Sequence, residues 1–102
     1  MICSLQIHYR TTKLKRICEN AEEAKKAYGS NMADKIQMRI SELSAADSVD
    51  FLVKYNIGRC HLLKGNRRGQ YAMDLVQPYR LVFIQEDNVT VSVLIEQIVD
   101  YH

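Results

Sequence analysis

Nothing in the sequence is long and apolar enough to cross a membrane. The longest apolar runs, Leu81-Val82-Phe83-Ile84 and the stretch Val91–Ile95, suit strands, whereas a spanning helix needs about 20 apolar residues. The first ten residues place a polar side chain at every second position from Ser4 onward, so they lack the continuous apolar core of a signal peptide. A cytoplasmic location is expected. Cysteine is scarce and unpatterned: Cys3, Cys18 and Cys60 are odd in number and show no CxxC spacing, which argues against a disulfide framework and a zinc site. They read as small buried apolar side chains in a reducing compartment. No carboxylate cluster offers a metal site, so neither metal nor cofactor is expected. There is no internal repeat, low-complexity tract or linker, and 102 residues make one domain, residues 1–102, with a single modest core.

Net charge is also small, at +2, too little to announce a nucleic-acid binder. Its distribution says more. Between Lys54 and Arg80 stand Lys54, Arg59, Lys64, Arg67, Arg68 and Arg80, opposed only by Asp74. From Leu81 onward come Glu86, Asp87, Glu96 and Asp100 with no lysine or arginine. The positive part gathers around one predicted hairpin.

Residues 3–9 alternate, with Cys3, Leu5, Ile7 and Tyr9 on one face and Ser4, Gln6 and His8 on the other, as a half-buried strand does. A helical region follows from Thr11 or Thr12, with Leu14, Ile17, Cys18 and Ala21 at helical spacing. Asn20 followed by Glu23 forms a capping pair that marks a break near Asn20. Gly29 suits a helix C-cap. A further helix begins at Ser30 or Asn31 and carries Met32, Ile36, Ile40 and Leu43 on one side, and a short helical turn is capped by Asp47 or Ser48. The period then switches. Four strand-like runs, RCHLL, QYAMDLV, YRLVFIQ and VTVSVLIEQIVD, are separated by KGNRRG, by a turn at Gln77-Pro78, and by EDN. The expected fold is α+β: an N-terminal strand, two or three helices packed on one face, and a mainly antiparallel sheet completed by four C-terminal strands.

Chemistry-bearing side chains concentrate in the hairpin region and at the last three residues. His61 and Lys64 flank a glycine-bounded loop that holds Arg67 and Arg68. Arg80 shares strand parity with apolar Val82 and Ile84, so it needs a partner, such as Asp74 on the neighbouring strand, or it lines a cleft. Asp100-Tyr101-His102 contributes a carboxylate, a phenol and an imidazole. One sheet face that gathers His61, Lys64, Arg80, Tyr101 and His102 would hold two imidazoles, a phenol and two cations, a set able to cleave a phosphodiester. Each has a plain structural reading as well: KGNRRG as a solvated turn, His61 as a hydrogen-bonded edge residue, His8 as surface.

The stretch CHLLKGNRRGQYAMDLVQPYRLVF, together with VDYH, resembles the RelE/ParE superfamily of bacterial toxins, in the HigB (killer protein) branch. The resemblance covers the whole chain. Its most specific parts are the CHxLKGxRxGQ hairpin, the YRLxF strand and the DYH ending. It implies a RelE-like fold and a ribosome-dependent mRNA endoribonuclease, the toxin of a type II toxin-antitoxin system. It further implies neutralisation by a cognate HigA-type helix-turn-helix antitoxin, action on mRNA in the 70S ribosome, and contact with operator DNA only through the antitoxin. The implied catalytic residues are His61, Lys64, Arg80, Asp100, Tyr101 and His102, with Arg67 and Arg68 contacting RNA or ribosome.

In such a site the 2′-OH of RNA attacks the adjacent phosphorus without a metal. Lys64 and Arg80 suit the charge on the non-bridging oxygens, and His61 and His102 suit the two proton transfers in either order. Tyr101 suits stacking or orientation, and Asp100 the hydrogen bonds around an imidazole. Lys25, Lys26, Lys35 and Arg39 are either ribosome-facing cations or solvated surface. Two other readings share the fold: a ParE-like inhibitor of DNA gyrase, and a catalytically degenerate relative that only binds an antitoxin. The histidines and Lys64 favour the nuclease.

Overall fold

Leu5, Ile7 and Tyr9 alternate with polar neighbours, and in the computed structural model Ile7 and Tyr9 turn inward from the edge strand β1 (Gln6–Tyr9), with buried Leu5 just before it. The structure describes residues 5–65, 69–87 and 92–100. Thr11 ends the strand by capping α1 (Thr12–Glu19), its hydroxyl accepting from the Leu14 amide at 3.1 Å. The break at Asn20 is present. Its side-chain oxygen accepts from the amides of Glu22 and Glu23 at 3.0 and 3.4 Å and opens α2 (Ala21–Tyr28). Gly29, at φ 91°, turns the chain into α3 (Ser30–Ala45). Ser48 caps α4 (Val49–Lys54) through the Phe51 amide at 3.1 Å.

A 3₁₀ turn (Ile57–Arg59) leads into β2 (His61–Leu62), β3 (Gln70–Asp74), β4 (Tyr79–Asp87) and β5 (Ser92–Asp100). The sheet order is β1-β5-β4-β3-β2. The four later strands pair antiparallel, as short connections require, and β1 lies parallel to β5. The expected α+β layout with helices on one face is therefore present, though the described residues hold four helices, not two or three, against a mixed five-stranded sheet.

The core lies between Met73, Leu81, Phe83, Val93 and Ile95 of the sheet and Ile17, Met32, Ile36, Leu43 and Leu52 of the helices, all buried. Each such side chain contributes about 1.5–3 kcal/mol of apolar burial, which is what fixes the strand register. Cys18 and Cys60 are buried here as expected, and burial pushes both thiols up to about 12. Cys3 lies outside the described residues. Among the described residues no helix is long and apolar enough to cross a membrane.

One helix cation departs from expectation. Arg39 is not on the outer surface; it is buried at 9% exposure, its Nε donating to the Asp74 carbonyl at 2.6 Å and its Nη1 pairing with Glu42 at 2.8 Å. Its position on α3 falls on the Ile36–Leu43 side, so the helix periodicity itself carries it inward. Lys25 and Lys26 stay exposed, each one turn from an acid, Glu22 and Glu23.

Candidate active site on the open face of the sheet

Strand register sorts the sheet residues onto two faces, because directly paired side chains share a face and neighbours alternate. Tyr71–Phe83–Ile95 and Met73–Leu81–Ile98 form the helix-covered face. The other face carries His61–Ala72–Val82–Gln97 and Asp74–Arg80–Val99. His61 and Arg80 therefore share the open face. Two strand spacings and two residues separate them, about 12 Å between Cα atoms. Lys64 is exposed in the loop that follows β2. Asp100 stands opposite Tyr79, one position beyond Arg80's partner Val99 and at the alternate parity of the strand. Tyr101, His102, Arg67 and Arg68 lie outside the described residues, as does the Asn88 end of the EDN turn.

Arg80 has the partner that its apolar neighbours demand. Its Nε is 3.6 Å from Oδ1 of Asp74, directly across the β3–β4 ladder. A second guanidinium converges on the same carboxylate: Arg59 Nε is 3.4 Å from Oδ2. Asp74 is buried at 8% exposure, while the Arg59 side chain is 71% exposed, so the pair joins an inner anchor to an outward-reaching cation. His61 is tied to the same corner, since its Nδ1 lies 2.7 Å from the Arg59 carbonyl oxygen. A carbonyl can only accept, so Nδ1 carries the proton and Nε2 is the basic nitrogen of the neutral ring.

The opposite end of the open face is neutralised. Two β-bulges insert Glu96 into β5 and Glu86 into β4. Glu96 accepts from Arg10 at 2.5 Å and from Gln70 at 3.0 Å, and Glu86 pairs with Nδ1 of His8 at 2.6 Å. Two of the acids after Leu81, Glu86 and Glu96, thus meet His8 of β1 and Arg10 immediately after it. His8 is at the surface, its side chain 55% exposed. What remains electropositive is the corner at Arg59, His61 and Arg80, with Lys64 beside it in sequence. Sequence reasoning had singled out three of these four; Arg59 escaped it. The available signal was Asn56 and Gly58, turn residues that let the chain reverse just before His61, with Arg59 itself at φ 55°. Among the described residues no three histidine, cysteine or carboxylate side chains gather as metal ligands would.

This α+β arrangement, with helices on one sheet face, is shared with solved bacterial toxins. The YoeB–YefM complex from Staphylococcus aureus contains a chain with the same fold, TM-score 0.62 at 20% identity, covering 98% of this chain and 99% of that one. The YoeB/ParE toxin from Agrobacterium tumefaciens superposes with TM-score 0.63 at 14% identity, covering 96% of this chain and 100% of the other. At these identities the likeness is one of fold. No curated protein sequence matches the chain significantly. The family model described as RelE-like toxin of type II toxin-antitoxin system HigB matches residues 7–102, and the chain belongs to that family.

Proposed function

We propose that this toxin is a ribosome-dependent mRNA endoribonuclease, held inactive by a cognate antitoxin. The observation that carries the reading is the corner itself: two guanidinium groups organised by one buried carboxylate beside an imidazole whose basic nitrogen is Nε2. That set answers the needs of RNA transesterification. The 2′-oxygen forms a bond to phosphorus, the bond to the 5′-oxygen breaks, and a 2′,3′-cyclic phosphate and a 5′-hydroxyl result.

His61 and His102 share the two proton transfers, one taking the 2′-OH proton and the other giving one to the departing 5′-oxygen. Arg80 and Lys64 hold the negative charge that grows on the non-bridging oxygens. Tyr101 stacks on or orients the nucleotide, Asp100 supports the hydrogen bonds around an imidazole, and Arg67 and Arg68 meet RNA or ribosome. A domain of 102 residues with net charge +2 has little surface on which to fix a flexible RNA. Presentation of the message by the ribosome supplies the orientation, worth several kcal/mol of the barrier. The solved complex of YoeB with YefM supports an antitoxin partner here. A helix-turn-helix antitoxin encoded beside the toxin is the form expected.

The test is to map transcript 5′ ends after expression and in a purified translation reaction. Cuts at codon spacing in translated messages, with naked RNA left intact, are the expected result. Efficient cleavage of free RNA would overturn the ribosome dependence. Blocked DNA supercoiling without any cleavage would favour the gyrase-inhibitor reading instead.

A further inference from the structure

Resting on that reading, we propose that Asp74 is the positioning residue of the site, holding Arg80 directly and His61 through Arg59. Its carboxylate touches both guanidinium groups, at 3.4 Å to Arg59 and 3.6 Å to Arg80, while its own main-chain carbonyl is gripped from the helix side by Arg39 at 2.6 Å. Main chain and side chain of Asp74 are thus fixed from opposite faces of the sheet. Arg59 sits at φ 55°, a left-handed conformation that costs a non-glycine residue on the order of 1 kcal/mol. The ion pair to Asp74 holds the Arg59 side chain there, and the Arg59 carbonyl then accepts from Nδ1 of His61 at 2.7 Å.

This one negative charge therefore contributes to the direction of Arg80 and, by holding the Arg59 side chain, steadies the carbonyl that orients His61. Without it the two guanidinium groups repel each other, and the Arg59 carbonyl is held by the turn's own main-chain bonds alone, Arg59 N–H to the Asn56 carbonyl at 3.1 Å and Cys60 N–H to the Ile57 carbonyl at 3.0 Å, so its contact with Nδ1 of His61 loosens. Asp74 touches no reacting atom in this scheme. Its effect falls on the turnover step rather than on docking to the ribosome.

The experiment compares the parent, Asp74→Asn and Arg59→Gln in ribosome-programmed cleavage, and reads the His61 ring nitrogens by ¹⁵N NMR on the same proteins. Asp74→Asn keeps the shape and removes the charge. Its kcat should fall by about tenfold or more with KM for programmed ribosomes within about twofold, and the His61 ring should pass from Nδ1–H to a mixture of tautomers. Arg59→Gln changes a mostly exposed side chain, so folding is safe. It should move the tautomer in the same direction with a smaller loss of kcat. If Asp74→Asn fails to fold, Arg59→Gln still carries the test of the link to His61. A parent that cuts no RNA would defeat the nuclease reading, while the tautomer measurement would still judge the link. A ring that stays Nδ1–H in every folded variant, or an Asp74→Asn enzyme as fast as the parent, would overturn the proposal.

Discussion

Gly58→Ala should be among the costliest single-methyl changes in this protein, and the reason lies behind the site. Gly58 sits at φ 60°, ψ 22° in the turn before Arg59. A Cβ placed there would meet Nε, Cδ and Cζ of Arg39 at 2.8, 2.9 and 3.0 Å. Arg39 has nowhere easy to go, because it is buried and its Nε is bonded to the Asp74 carbonyl at 2.6 Å. The left-handed backbone costs an alanine about 1–2 kcal/mol, partly offset by the stiffer unfolded chain. Displacing Arg39 leaves a buried carbonyl unpaired, about 1–3 kcal/mol more. The sum, roughly 2–4 kcal/mol, is a large share of the roughly 5–15 kcal/mol that a domain of this kind possesses. With no tryptophan in the chain, far-UV circular dichroism in urea is the direct assay. The midpoint should fall at constant slope. In an Arg39→Ala background the same methyl should cost only the backbone part, giving a coupling of about 1–3 kcal/mol in the double-mutant cycle. A Gly58→Ala protein within about 0.5 kcal/mol of the parent, or a cost undiminished without Arg39, would refute this account.

Asn20→Ala removes the acceptor for two amides at the start of α2 and should cost about 1 kcal/mol in the same urea titration, with toxicity unchanged. Arg80→Ala should abolish growth inhibition while the circular dichroism spectrum is retained, and Arg80→Lys should not rescue it, because an ammonium lacks the planar fork. A fully toxic Arg80→Ala strain would make the Arg80–Asp74 pair structural only. His102→Ala should impair killing as severely as Lys64→Ala at matched expression, and undiminished toxicity would remove the imidazole from the chemistry. Cys18 and Cys60, neutral in the fold up to about 12, titrate near 9 once exposed, so the folded state holds their protons more tightly. Their contribution is complete below pH 9 and is lost between pH 9 and 12, on the order of 1 kcal/mol per pH unit for each thiol. Unfolding free energies at pH 8 and pH 10 check the sign, and a protein more stable at pH 10 would contradict it.

The helices were legible because their boundaries are set locally. Thr11, Asn20 and Ser48 each cap the helix that follows with a side-chain oxygen, and these are contacts between residues two or three apart. Strand count and antiparallel order followed for the same reason, since short connections leave little choice. Arg39 was misjudged as an outward cation because one residue's inward turn depends on what the sheet offers beneath it. Its partner there is a backbone carbonyl, which leaves no mark on the sequence at all. The parallel pairing of β1 with β5 joins the two ends of the chain and likewise has no local signature.

The same distinction explains the site. His61, Lys64 and Arg80 stand out because their residue types sit in a hairpin with few acids near them. Asp74 looked like the exception, one carboxylate among many cations, and pairing with Arg80 was the plain alternative to a catalytic role for that arginine. The geometry makes these alternatives compatible: the ion pair that gives a guanidinium beside apolar Val82 a counter-charge leaves it on the same sheet face as His61. Arg59 was missed because its part depends on a left-handed turn that converts a residue two before His61 into a neighbour of both the carboxylate and the imidazole. A lone acid inside a basic segment is therefore read best as a question about which cations it aligns. In this chain the acid meets Arg59, whose carbonyl meets His61, on one side and Arg80 on the other.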